Sequence, residues 1–269
     1  MGRLLKAFFF KLKRDLAFKI TLIIGASMAV LTVVIFAFMA DGKALTGPNM
    51  LFTSLSPIQN YGIALPINLI SFICLEFSQG SIRNKIIAGN SKLKIYISLC
   101  VSGIVYVFAL LLVYAGICTI LGTIFGGFDL SKQVILVTSL IPGFGNIDGV
   151  FLFKYIVIML LIYLMLCMFA TFVATSFRTI GPSIPIVVTV ILFGFLGVTV
   201  VVSTNPDNEI LIALFRYLVP FYGIISPTLE STNLVISDID FIGTVICNLV
   251  WSILFFVFGC LEFKKRDVK

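Results

Sequence analysis

Histidine is absent from this chain of 269 residues. Its absence excludes zinc proteases of the H-E-x-x-H type, serine hydrolases that need a histidine base, and haem proteins with a histidine ligand. The sequence also contains no G-x-x-x-x-G-K-[ST] loop, so we expect no ATP to bind this chain through such a loop. We therefore predict a chain without catalytic residues, a metal or a cofactor of its own.

Charge is scarce as well: 12% of the residues are charged, 60% are hydrophobic, and the mean hydropathy is +1.16. Stretches of about 20 apolar residues recur, which predicts an all-α integral membrane protein with one domain over residues 1–269. The six cysteines all fall in apolar segments without a C-x-x-C pair, so we expect buried thiols. No small-residue cleavage site follows the first apolar run, and we expect no cleavable signal peptide.

Six apolar stretches predict six transmembrane helices, at about 20–40, 61–79, 94–124, 153–177, 183–203 and 241–261. We expect Pro66 and Asn68 to kink or unwind the second of them. The third is longer than a bilayer needs, so it should tilt or project from the membrane. Residues 208–230 are apolar but interrupted by Arg216, Pro220, Gly223 and Pro227, which predicts a broken pair of interfacial or re-entrant helices on the outer side.

The distribution of charge predicts the orientation of these helices. With the N-terminus placed inside, 15 of the 19 basic residues and four of the 12 acidic residues lie on the cytoplasmic side. Because Lys and Arg mark cytoplasmic loops, we predict a multi-pass protein of the plasma membrane with both termini in the cytoplasm. The net charge of +7 then reflects topology, and we expect no binding of nucleic acid.

Residues 1–16 form a separate amphipathic segment. At about 100° per residue, one face holds the predicted membrane-interface residues Leu5, Phe8, Phe9, Leu12 and Leu16, and the other holds Arg3, Lys6, Lys13 and Arg14. This pattern predicts a helix in the headgroup layer, where cations are attracted to anionic lipid. The alternative is a positively charged tail without a defined membrane contact.

The segment EFSQGSIRNKIIAGNSKLKIY, residues 76–96, separates the second and third predicted spans. Gly80 interrupts the span, and Ser81 is suited to cap a new helix at its N-terminus. Gly89 suits the position after a helix C-terminus that needs a positive φ, and Asn90 or Ser91 can cap the next helix. The pattern predicts a helix of about two turns with a cap at each end.

The predicted faces of this short helix differ in chemistry. We place Ile82, Ile86 and Ile87 on one side, and Arg83, Asn84 and Lys85 on the other. Two interpretations fit equally well. The isoleucines could dip into lipid as part of an interfacial loop, or the helix could fit a groove on a soluble partner.

Glu76 is the one acidic residue within the predicted spans, near the end of the second. It could pair with Arg83, Lys92 or Lys94 and stabilise the junction between span and short helix. Alternatively, it could exchange partners during a transport cycle and act as a gate.

At this point the sequence resembles a known family. The stretch E-F-x-x-G-S-I-R-N-K-I-I-A-G-N-S-K-L-K-I-Y is similar to small Gram-positive ABC-2 type permeases that export, or confer immunity to, lantibiotics, bacitracin and cytolytic peptides. The resemblance covers nearly the whole chain, from the amphipathic N-terminal helix through six spans to the broken helices between spans five and six. It implies a coupling helix that docks into a separate ATPase subunit, formed by Gly80, Ser81, Ile82, Arg83, Asn84, Lys85, Ile86, Ile87, Ala88 and Gly89. It also implies a second, smaller contact at residues 177–182, including Phe177, Arg178 and Thr179.

The resemblance further implies a working unit of two permeases and two ATPases, with ATP and Mg²⁺ held by the ATPase. The second permease would be another copy of this chain or a related one. Closure of the ATPase dimer would carry the coupling helix as a rigid body and open a path outward. Glu76, Arg216, Pro220 and Pro227 are the candidate gate residues.

The spans carry almost no charge, so we expect an amphipathic or hydrophobic cargo, in the first place a peptide. A lipid or a small hydrophobic drug would leave the same signature, and export is not distinguished from self-protection. An ATP-independent scaffold or sensor, in which residues 76–96 bind a signalling protein, is the alternative class. A carrier driven by an ion gradient is disfavoured, because coupled ions need charged groups near the membrane midplane.

Overall fold

The computed structural model describes residues 2–39, 45–56, 62–128, 149–204 and 238–265. Every element in these ranges is a helix: α1 Gly2–Arg14, α2 Leu16–Met39, α3 Gly47–Leu55, α4 Ala64–Ser78, α5 Ser81–Ile87, α6 Lys92–Gly126, α7 Gly149–Phe177, α8 Ile180–Thr204 and α9 Asp238–Lys265. The predicted all-α fold is confirmed for this part of the chain. The predicted broken helices at 208–230, with Arg216, Pro220 and Pro227, lie outside the described residues.

Four helices are long and apolar enough to cross a membrane: Leu16–Phe38 in α2, Lys92–Gly126, Gly149–Phe177, and Phe241–Lys265 in α9. They correspond to the first, third, fourth and sixth predicted spans. α4 and α5 pass the same test only as a pair, and the chain bends by 54° at the break between them. α8 contributes a shorter apolar stretch, Ile180–Gly194. Four of the six predicted spans thus correspond to candidate membrane-spanning helices, and α4 meets the criterion only together with α5.

α7 is the central helix, in contact with α3, α4, α6, α8 and α9. In the apolar stretch of α7, 61% of the residues are buried inside the protein. The corresponding fraction is 22% in α2 and 17% in α9. Two of the buried threonine hydroxyls of α7 bond within the helix: Thr171 donates to the Cys167 carbonyl at 2.8 Å, and Thr175 donates to the Thr171 carbonyl at 2.9 Å. These bonds satisfy polar groups that have no access to water. α2 and α9 lie at the edge of the bundle and expose broad apolar faces.

α4 runs without interruption through Pro66 and Asn68. The predicted kink is wrong because Pro66 lies in the first turn, where a missing N–H removes no intrahelical hydrogen bond. Asn68 donates its side-chain amide to the Ala64 carbonyl at 2.9 Å, within the same helix. α4 is therefore a continuous helix as far as Ser78. The bend into α5 lies at the next two residues, Gln79 and Gly80.

α3 is a short buried helix that the sequence reading missed. It packs against α6 and α7 at the end of the bundle opposite α5. Gly122 and Gly126 allow its close approach, since a Cβ on Gly126 would collide with the Leu45 carbonyl just before α3. The Tyr155 hydroxyl donates to the Phe52 carbonyl at 3.0 Å, and the two rings stack 4.1 Å apart. The signal for this packing was the G-x-x-x-G spacing in α6, which lets two backbones come close.

Candidate functional site

One end of the bundle brings together α1, α5, the start of α6 and the end of α9 around a separate apolar cluster. Its buried members are Leu4, Phe8, Ile82, Ile95, Tyr96, Leu99, Cys100 and Phe263. Lys92 donates to the Lys264 carbonyl at 3.3 Å, which ties α6 to the end of α9. Because so many lysines lie here, we call this end of the molecule the basic end.

The turns on either side of α5 set its length and direction. Gly80 precedes the helix with φ +67°, and Gly89 follows it with φ +83°, both in the left-handed region that favours glycine. The Gly89 N–H donates to the Ile86 carbonyl at 2.9 Å, and the Asn90 N–H donates to the Lys85 carbonyl at 3.3 Å. This pair of bonds is a Schellman motif, which satisfies carbonyls left open at the helix end. The predicted positive φ of Gly89 is confirmed.

Capping on the two sides of α5 differs from the prediction in one respect. Ser91 is the N-cap of α6, and its hydroxyl accepts the Lys94 N–H at 3.4 Å, as expected. The predicted N-cap role of Ser81 is wrong, since Gly80 occupies the cap and Ser81 is the first residue of α5. The Ser81 hydroxyl instead donates to the Glu76 carboxylate at 2.7 Å.

Glu76 is the centre of a buried ion-pair junction that joins three helices. Its side chain is 0% exposed, near the end of α4. Lys11 from α1 donates to Oε1 at 2.6 Å, and Lys85 from α5 donates to Oε2 at 2.8 Å. Lys11 also donates to the Gln79 side chain at 2.9 Å. We call Glu76, Lys11, Lys85, Ser81 and Gln79 the Glu76 junction.

This geometry corrects the predicted partners of Glu76. The carboxylate pairs with Lys11 and Lys85, and not with Arg83, Lys92 or Lys94. The partners differ because Lys11 of α1 reaches the end of α4, and because Lys85 lies on the inner side of α5.

The surroundings of Lys85 explain how its charge is held at this depth. Its side chain is 16% exposed, and its ammonium lies 3.4 Å from the centre of the Phe8 ring. A cation over an aromatic face is attracted by the ring, most strongly where water is excluded. Burial lowers the pKa of Lys85 below its usual range, and the Glu76 carboxylate opposes that shift. Glu76 thus counteracts the effect of burial on Lys85.

The two faces of α5 are only partly as predicted. Ile82 is buried, Ile86 is half-buried, and Lys85 points inward. Ile87 is 73% exposed, so placing it with the other isoleucines was wrong. The reason is helical geometry, since five residues after Ile82 correspond to a rotation of about 140°. The exposed face of α5 and its C-terminal turn therefore consists of Arg83, Asn84, Ile87, Ala88 and Gly89.

The turn between α7 and α8 also lies at the basic end. Arg178 adopts φ +60° there, the one left-handed residue other than glycine in the described ranges. Its guanidinium lies 5.7 Å from the centre of the Phe77 ring, and Phe77 in turn lies 6.2 Å from the Phe263 ring. Phe177 and Thr179 are exposed on either side. Side chains of this turn and of α5 therefore both contact the end of α4, at Phe77 and at Glu76.

The predicted membrane-facing residues of the first helix are largely turned inward. Phe8 and Leu12 are buried against the protein, and Leu5 is half-buried. Phe9 is 38% exposed, and Leu16, 69% exposed, belongs to α2. The amphipathic helix exists, over Gly2–Arg14, but its apolar face covers the cluster at the basic end. The prediction assigned to lipid a face that α5, α6 and α9 occupy.

No group of three or more His, Cys, Asp or Glu side chains that could hold a metal occurs in the described ranges. The expectation that this chain binds neither metal nor cofactor stays a prediction. Of the four candidate gate residues, Glu76 alone can be placed, and it lies in the junction described above.

Comparisons with protein-family models, with curated proteins and with solved structures find no match for this chain. The resemblance to ABC-2 permeases thus stays a prediction, and functional interpretation depends on the basic end itself.

Proposed function

We propose that this chain is the membrane-spanning permease subunit of an ATP-driven exporter and that a separate subunit binds and hydrolyses ATP with Mg²⁺. The observation that carries the proposal is α5. It is a capped helix of 7 residues set at 54° to α4, anchored on its inner side and exposed on its outer side. Such a helix is suited to seat in a groove of a soluble partner.

The anchoring of α5 supports transmission of a movement. Its inner side is held by the buried Ile82 and by Lys85 in the Glu76 junction. Two residues connect α4 to the start of α5, and four residues connect the end of α5 to α6. A displacement of α5 by a partner would therefore move α4 and α6 with it, and through them the rest of the bundle.

We further propose six spans, formed by α2, α4, α6, α7, α8 and α9, with both termini in the cytoplasm of a bacterium. α8, with 25 residues, is about 37 Å long and can cross a bilayer. α4, with 15 residues, is about 22 Å long, and α3 would fill the remaining depth at the opposite end. The lysines of the basic end would then face the cytoplasm, in agreement with the positive-inside rule.

The proposed cargo is an amphipathic or hydrophobic molecule, in the first place a peptide, since the described spans present mainly apolar side chains. The complete exporter would contain two ATPases and a second permease, either a copy of this chain or a related one. Lipids and small hydrophobic drugs are the other cargoes to be assayed.

The test is recovery of an ATPase with the tagged chain from its own host in mild detergent, read by mass spectrometry. We expect a stoichiometric P-loop ATPase, lost when Arg83→Ala and Ile87→Ala remove the exposed side chains of α5. Ile86 is unsuitable for this test because it packs into the apolar cluster. Leu93→Ala with Lys94→Ala is the matched control, since it removes an exposed aliphatic and a cation from the start of α6.

Two outcomes would contradict the proposal. A preparation that retains a signalling protein but no P-loop ATPase would favour the scaffold or sensor class. Equal loss of the ATPase from the control variant would show that α5 is not its specific contact.

A further inference from the structure

The side of α1 that faces away from the protein has a composition of its own. Leu4, Phe8 and Leu12 are used for packing, and Lys11 for the Glu76 junction. The remaining arc, which spans about 140° of the helix, holds the exposed Lys6, Phe9, Phe10, Lys13 and Arg14. We call these five residues the outer face of α1.

The outer face combines cations with large apolar rings. Phe9 is 38% exposed and Phe10 is 59% exposed. The Arg14 guanidinium lies 4.3 Å from the centre of the Phe10 ring, so cation and ring form one surface. α1 contains no acidic residue. Asp15, the next residue, accepts the Ala17 N–H at 3.0 Å and caps α2.

The position of the outer face indicates what covers it. Asp15 alone separates α1 from α2, which is apolar enough to cross a membrane from Leu16 onward. An exposed cation, Lys19, continues the positive charge onto the first turns of α2. α1 thus lies within one residue of the membrane boundary, where interfacial aromatic rings and lysines meet lipid headgroups.

We propose that the outer face of α1 binds the surface of a bilayer rich in anionic phospholipid, with Lys6, Lys13 and Arg14 at the phosphates and Phe9 and Phe10 at the acyl boundary. This contact uses Phe9 from the face that periodicity predicts, together with residues of the charged face, because Phe8 and Leu12 are occupied by protein. It does not depend on an ATPase partner, so it can hold or fail independently of the proposed transport function.

The experiment uses a tryptophan reporter in the full chain. Trp251 is the only tryptophan, so Trp251→Phe with Phe10→Trp places a single indole on the outer face. The purified chain is reconstituted into phosphatidylcholine vesicles that contain brominated phosphatidylglycerol or, in parallel, an equal share of brominated phosphatidylcholine. Bromine quenches the indole on contact. We expect quenching at a much lower share of the anionic lipid than of the neutral lipid.

Charge is then removed from the outer face. Lys6→Gln with Lys13→Gln should reduce the preference for the anionic lipid by roughly thirtyfold, as expected for two cations beside an anionic surface. Lys264→Gln with Lys265→Gln removes two exposed cations elsewhere at the basic end and should leave the preference unchanged.

Three results would overturn the proposal. Quenching by neither lipid would place the outer face in water or against protein. Equal quenching by both would mean that charge does not select the lipid, and an unchanged preference after loss of Lys6 and Lys13 would place the selectivity elsewhere. If the reporter variant fails to fold, native mass spectrometry of the unaltered chain, before and after the same two lysine substitutions, measures retained phosphatidylglycerol directly.

Discussion

Replacing Glu76 by glutamine should destabilise the chain more than any other single change in the Glu76 junction. The carboxylate is 0% exposed and accepts hydrogen bonds from Lys11, Lys85 and Ser81. Glutamine keeps the shape but removes the charge, which leaves the Lys85 ammonium, 16% exposed, without its counter-ion. Breaking a buried pair in this way costs about 3 kcal/mol. For a chain of this size, the midpoint of thermal unfolding should fall by about 6–12 °C.

The two lysines should not be equivalent. Lys11 is 35% exposed, so water screens its interaction, and Lys11→Gln should cost less than about 1 kcal/mol because Lys85 and Ser81 still hold the carboxylate. Lys85→Gln should fall between Lys11→Gln and Glu76→Gln. The double variant Glu76→Gln with Lys85→Gln should cost less than the sum of its singles, since it removes both charges together.

A thiol-reactive dye is a suitable reporter for this unfolding, because Cys74, Cys100, Cys118 and Cys167 are buried until the helices separate. Lys94→Gln is the matched control: it removes an exposed cation at the same end and should change stability by no more than about 0.5 kcal/mol. The reasoning is refuted if Glu76→Gln and the Lys94→Gln control unfold at the same midpoint. It is also refuted if Lys11→Gln lowers the stability as much as Glu76→Gln does.

Three further substitutions test the packing by the same unfolding assay. Gly126→Ala should cost about 1–3 kcal/mol, because its Cβ meets the backbone before α3. Gly116→Ala in the same helix meets no atom within 4 Å and should cost nothing; equal effects at both positions would contradict the close approach of α3. Gly89→Ala should cost about 1 kcal/mol through its positive φ, whereas Gly181→Ala, at an unobstructed helical position, should not. Tyr155→Phe should cost about 1 kcal/mol through the lost bond to a backbone carbonyl of α3, and an unchanged midpoint would contradict that bond.

Sequence reasoning succeeded where signals are local. The positive φ of Gly89 and the N-cap role of Ser91 follow from residues within one turn of each helix end, and both are found. The long apolar helices follow in the same way from composition, which is why α6 and α7 agree with their predicted spans to within four residues.

It failed where residues far apart in the chain decide the outcome. Lys11 reaches Glu76 across 65 positions, and no periodicity within either helix indicates that contact. The amphipathic pattern of α1 was correct, but lipid and a protein cluster are equally apolar, so the pattern could not say which one Phe8 would meet. The error at Ile87 is of another kind, since the helical step alone places Ile87 about 140° from Ile82 and the prediction grouped the two residues nevertheless.

α3 illustrates a third kind of failure. It begins with Gly47 and Pro48, a plausible helix start, but it is short and bordered by polar residues. Its stability comes from Gly122 and Gly126 in α6, more than 70 positions later, so the two signals have meaning only when they are considered together.

The most direct test of the proposed function is photo-crosslinking from the exposed face of α5 in the living host. A photoreactive phenylalanine analogue at Ile87 should yield an adduct with a P-loop ATPase, identified by mass spectrometry. The same analogue at Leu93, also exposed and at the same end, should yield far less of it. Two results would contradict the assignment of α5 as the contact with the ATPase. One is that the analogue at Ile87 forms adducts only with lipid, and the other is that both positions give ATPase adducts in equal yield.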